Sequence, residues 1–201
     1  MRFILLLVTF LSLCQCEDTQ KTSQKIDKKQ TSKQTKTESW EYAPSLESTS
    51  HIQLKKKYDL FIDGKWVKPK SGKYFSTINP ANEEVLAEVA HASEADVDMA
   101  VKAARKAYNN VWSKMAPSER AKYIYRIARL MQERAREFAV IETLDAGKTI
   151  RESRDIDVPL ACNHFFYYAG WADKLEYAFP NRNPKSLGVA GQIIPWNFPL
   201  L

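Results

Sequence analysis

The sequence contains only three cysteines in 201 residues, and two of them, Cys14 and Cys16, fall in an apolar leader. Cys162 stands alone in the remainder, which excludes an intrachain disulfide there and a cysteine-rich zinc centre with it. Histidine is equally scarce. His51, His91 and His164 are scattered without ligand-like spacing, so no metal site is expected. A dominant charge is also lacking: 30 Lys plus Arg oppose 24 Asp plus Glu, a balance that suits a soluble globular protein better than a dedicated nucleic-acid binder. Residues 1–57 hold ten basic groups against six acidic ones, which leaves residues 58–201 with twenty against eighteen. Basic character is thus a property of the N-terminal stretch, and no nucleic-acid partner is expected. No apolar run is long enough to cross a bilayer, so no stable membrane insertion is expected either.

What is present begins with Arg2, an apolar run from Phe3 to Leu13, and Cys14-Gln15-Cys16, whose small residues at alternate positions suit a signal peptidase. Residues 1–16 therefore read as a secretory signal peptide. A lipoprotein signal fits less well, because Leu13 occupies the place where a small residue is wanted before Cys14. A wrongly assigned start is a third reading. Residues 17–57 are rich in Lys, Gln, Ser and Thr, with few apolar residues before Trp40, and cannot bury enough surface to offset their ordering entropy. They read as a solvated tail whose last part, from Trp40 to Leu54, lies along the domain as an extended arm. An acidic surface is the one partner its lysines would suit.

Residues 58–201 carry strand patterns, then helix patterns, then a last strand turning into a helix, which reads as α/β. Leu60–Ile62 and Trp66–Val67 flank Asp63-Gly64-Lys65, a hairpin signal, since Asp-Gly supplies the positive backbone angles of a tight turn. Thr77–Asn79 and Val85–Val89 suggest a second extended pair turning at Pro80–Glu83, and both pairs are expected at sheet edges. Ser93 opens a helix with Asp96 in a capping-box position, and Val97, Ala100, Val101, Ala104 and Tyr108 share a face. A longer helix is expected from Pro117 to Gly147, with Ile124, Ile127, Met131, Phe138, Ile141 and Leu144 at helical spacing and Gly147 as C-cap. Gly147-Lys148-Thr149 resembles the end of a phosphate-binding loop. Glu142 stands where that motif requires glycine, and a helix precedes it, so the reading fails. Ile150–Lys174 is again helical, with Pro159 either kinking it or marking a fresh start after Asp157.

The final stretch, LGVAGQIIPWNFPLL from Leu187 to Leu201, is the most informative. Val189–Ile194 reads as a buried parallel strand, stopped by Pro195, with Pro199 placed to open a helix. A strand that breaks sharply into a helix sets its loop at the ligand-binding edge of an open α/β sheet. Asn197 in that loop has two readings. Its amide is a fixed neutral donor suited to an oxygen that gains negative charge during a reaction, or it is a helix N-cap.

GQIIPWNFPLL resembles the strand and turn of the NAD(P)-dependent aldehyde dehydrogenases, and the resemblance extends through YDLFIDGKWV, TINPANEEVLAEV, ETLDAGK and YYAGWADK. It implies the N-terminal part of that fold: edge strands, helices and the first strand of a Rossmann-like parallel sheet. It implies oxidation of a small-molecule aldehyde to a carboxylic acid with NAD or NADP, and a homo-oligomer for the complete enzyme. The short linker from Glu176 to Ser186 departs from relatives that carry a longer hairpin for subunit contact. By the same resemblance Asn197 stabilises the oxyanion; Ile193, Ile194, Pro195 and Trp196 contact the cofactor; and Leu160 and Phe198 shape the aldehyde tunnel. The family's cysteine nucleophile and glutamate base lie further downstream, and Cys162 reads as a small buried side chain. Residues 1–201 are therefore expected to be a fragment that is inactive by itself, with a non-catalytic module pairing with full-length subunits as the alternative. Family members work mostly in the cytosol or organelles, against which the signal peptide would argue for secretion.

Overall fold

The computed structural model describes residues 48–201. The expected signal peptide and most of the expected tail lie outside the described residues. A short 3-10 turn at Thr49–His51 precedes β1 (Lys57–Tyr58), β2 (Leu60–Ile62), β3 (Lys65–Val67), β4 (Tyr74–Ile78) and β5 (Val85–Ala90). Helices α1 (Glu94–Asn110), α2 (Pro117–Glu133), α3 (Ala135–Ala146), α4 (Ile150–Glu152), α5 (Val158–Ala172) and α6 (Leu175–Ala178) follow, with a π turn at Ser153–Asp157 joining α4 to α5. The architecture mixes strand and helix, as the sequence pattern predicts.

β2 and β3 form the expected hairpin, with Phe61 opposite Trp66. Asp63 and Gly64 have φ of 53° and 74°, the paired left-handed angles whose twist matches that of the flanking strands. The other sheet has the order β1-β5-β4, with β5 parallel to β1 and antiparallel to β4. At the β4–β5 turn the Ala81 N–H donates to Asn79 Oδ1 at 3.0 Å, so that the buried amide stands in for missing backbone pairing.

The capping box of α1 forms around a fully buried carboxylate. The Ser93 N–H and hydroxyl donate to Asp96 Oδ2 at 2.9 and 2.6 Å, and the Lys70 N–H donates to Asp96 Oδ1 at 3.1 Å. One side chain thereby caps the helix and ties it to the loop after β3.

Two expectations are corrected here. The single helix from Pro117 to Gly147 is two helices, because Arg134 leaves the helical range at φ −107° and ψ 20°. Its guanidinium clasps both Glu137 oxygens at 2.7 Å and closes the first turn of α3. Val189–Ile194 forms no strand, and Ile193 is 77% exposed. A parallel strand exists through hydrogen bonds to a neighbour, and among the described residues neither sheet takes this segment.

α5 starts afresh just after Asp157, one of the two expected outcomes, with Pro159 in its first turn. This proline offers no N–H to the preceding turn, and its ring crowds the carbonyl four residues back. The backbone responds by widening: the Val158 N–H bonds Ser153 O, five residues earlier. Helices α2, α3 and α5 then enclose the core of Met131, Ala139, Val158, Ala161 and Cys162, against which Ile127, Phe138, Phe165 and Leu200 pack.

Candidate functional site

Gly147 ends α3 in the left-handed conformation, φ 75°, as a C-cap requires. It also lies against the sheet: a methyl group on its α-carbon would come within 2.6 Å of Pro80 Cγ. The chain thus leaves α3 pressed onto the β4–β5 turn, and the next residue, Lys148, is directed inward.

Lys148 meets two carboxylates from the walls of the helical core. Its Nζ lies 3.3 Å from Glu142 Oε1 and also bonds Asp157 Oδ2. The side chains are 11% (Lys148), 4% (Glu142) and 0% (Asp157) exposed. A buried ion pair is stable only when its partners are hydrogen-bonded well enough to replace lost water. Here the compensation is partial, since Glu142 Oε2 and Asp157 Oδ1 have no hydrogen-bond partner among the described residues. Burial accordingly pushes the Glu142 carboxyl up, against the opposing pull of Lys148. Burial alone would lower Lys148, but its bonds to Asp157 and Glu142 outweigh this and hold the ammonium above its ordinary range.

The C-terminal loop crosses the outer side of this cluster. Pro195–Phe198 makes a turn in which the Phe198 N–H donates to Pro195 O at 3.2 Å. The Phe198 ring lies over Lys148, with Nζ 4.2 Å from its centroid, a cation–π contact. Two residues later, Leu200 packs on the helical core. The loop is held through these two side chains while its other groups face outward: Asn197 is exposed, and Trp196 is 90% exposed. Ile194 is half-buried and Pro195 exposed. Leu160 lies on α5, 39% exposed, three residues after Asp157.

The residues picked from sequence therefore fall in two groups. Ile193, Ile194, Pro195, Trp196, Asn197 and Phe198 share one loop, whereas Leu160 stands on a helix. Cys162 is 2% exposed with its thiol pushed up by burial, as a small buried side chain should be. Glu142, Lys148 and Asp157 were missed. The available signal was Glu142, one helical step from Ala139 on the apolar stripe of α3, where an ionisable residue needs a partner. No group of His, Cys, Asp and Glu suited to a metal occurs among the described residues, and no helix there is long and apolar enough to cross a membrane.

Residues 66–201 match the model of the aldehyde dehydrogenase family. The chain is 45% identical over 150 residues to an aldehyde dehydrogenase of Alternaria alternata, covering 71% of this chain and 30% of the relative. It is 43% identical over 170 residues to a mitochondrial aldehyde dehydrogenase of Leishmania tarentolae, covering 80% and 32%. Among solved structures, the NAD+ complex of an aldehyde dehydrogenase from Bacillus cereus superposes with a TM-score of 0.57 at 42% identity, covering 60% of this chain and 26% of that one. The chain thus spans about a third of the length of the curated relatives it matches.

Proposed function

Because this chain belongs to the aldehyde dehydrogenase family, we propose that it supplies the oxyanion-holding part of a site that oxidises an aldehyde to a carboxylic acid with NAD or NADP. The observation that carries this reading is the exposed Asn197 in a loop anchored directly after it, by Phe198 on Lys148 and by Leu200 on the core. A neutral amide held in place stabilises charge as it develops on a carbonyl oxygen, because no reorientation is needed when the charge appears.

Attack on the carbonyl needs a thiolate. Cys162 is a poor candidate, being buried with a raised pKa, so this reading assigns the thiolate to another residue. The cofactor accepts hydride from the substrate carbon when bound. Ile193 and Trp196, 77% and 90% exposed, flank Asn197 in sequence together with Ile194 and Pro195, and this reading gives the four the cofactor contact. Leu160 and Phe198 are the tunnel residues of the same reading.

The test uses the full-length protein that carries this sequence, assayed for aldehyde-dependent formation of NADH or NADPH. Asn197→Ala should lower kcat by roughly a hundred- to a thousandfold with cofactor binding retained. Unchanged turnover, or the absence of any such activity in the parent protein, would overturn the reading.

A further inference from the structure

The buried charges under the Asn197 loop are unusual in that one of them is used twice. Lys148 bonds Glu142 and Asp157 on its inner side and offers its remaining face to the Phe198 ring at 4.2 Å. Phe198 directly follows Asn197 and closes its turn through the hydrogen bond from its N–H to Pro195 O. An ammonium held by two carboxylates on separate helical segments has little freedom to move, and an aromatic ring resting on it inherits that fixity. We infer that Lys148 is a positioning residue for Asn197: the Glu142–Lys148–Asp157 cluster holds Phe198 and thereby aims the Asn197 amide.

This rests on the oxyanion reading of Asn197 and adds the means by which its geometry is set. It also accounts for a costly arrangement. Three ionisable side chains in a core, with one oxygen on each carboxylate unpaired among the described residues, give less stability than apolar residues of similar size would. What apolar residues could not supply is a cation beneath the ring.

The test is a set of variants in the full-length protein, read as kcat and KM with acetaldehyde, a substrate too small to need a shaped tunnel. Phe198→Leu leaves the three charges untouched and removes only the ring face. It should lower kcat by roughly two- to thirtyfold, the range that a cation–π contact spans, with KM for the cofactor unchanged. Lys148→Met should give a similar loss in the parent and none in the Phe198→Leu background. In the Asn197→Ala background Phe198→Leu should have no further effect, because there is no amide left to aim. Full kcat in Phe198→Leu, or a loss that multiplies with that of Asn197→Ala, would overturn the inference while leaving the oxyanion role intact. Full turnover in Asn197→Ala alone would overturn both. If Lys148→Met fails to fold, Phe198→Leu and its double variant still decide.

Discussion

Among the described residues, carboxylates are buried in two places and are treated differently. Asp96, at the start of α1, is surrounded by donors: the Ser93 hydroxyl, the Ser93 N–H and the Lys70 N–H. Burial alone would raise its pKa, yet these hydrogen bonds outweigh burial and hold the carboxyl below its usual range. Glu142 and Asp157 share one ammonium, and each leaves an oxygen without a partner among the described residues. Burial prevails at Glu142 and its pKa rises. A carboxylate satisfied by backbone donors is a fastener, and its chemistry is used up in holding the chain. A cluster short of donors gives less stability than its charges suggest, and its persistence calls for a role in what it touches.

The largest expected effect tests the dependence of the second site on its cation. Lys148→Met should destabilise the protein by about 3–5 kcal/mol in urea denaturation, since it leaves buried carboxylates without a counter-charge. A loss no greater than that at Asp96 would erase the distinction. Asp96→Ala should cost about 1–3 kcal/mol by stranding the Ser93 and Lys70 N–H groups.

The smallest effect is in the pH dependence, where the two sites have opposite signs. Asp96 binds its proton more weakly when folded, so its contribution is present above the unfolded value of 3.8 and is lost as pH falls through the folded value. Glu142 binds its proton more tightly when folded, so stability is greatest below 4.5 and falls as pH rises from there to the folded value. Denaturation midpoints measured across acidic pH should therefore lose their low-pH decline in Asp96→Asn and their decline above 4.5 in Glu142→Gln. Matching profiles for the two variants would show that the carboxylates are not distinct.

Local chemistry made much of this fold readable in advance. Asp63-Gly64 dictates its turn, Ser93 and Asp96 their cap, and Gly147 the end of α3, because each depends on residues adjacent in sequence. The readings that failed depended on distant partners. Val189–Ile194 has the composition of a buried strand, but pairing comes from a neighbour and none lies beside it among the described residues. The break at Arg134 interrupts a hydrophobic period that continues across it, so the pattern alone could not reveal it. Glu142, Lys148 and Asp157 lie on three different segments, and their meeting is a product of the packing of α3 against the π turn. Asn197 was singled out on contiguous surroundings, two prolines and an aromatic pair, and its role is the one proposed above.

The widened turn before Pro159 has its own consequence. A helix advances about 100° per residue, so the extra residue accommodated at Ser153–Asp157 acts as a phase shift between α4 on one side and α5 on the other. Asp157 is the last residue of that turn. Were Pro159 replaced and the segment allowed to tighten into ordinary α-helix, the carboxylate would swing away from the lysine without a single charged group having been altered.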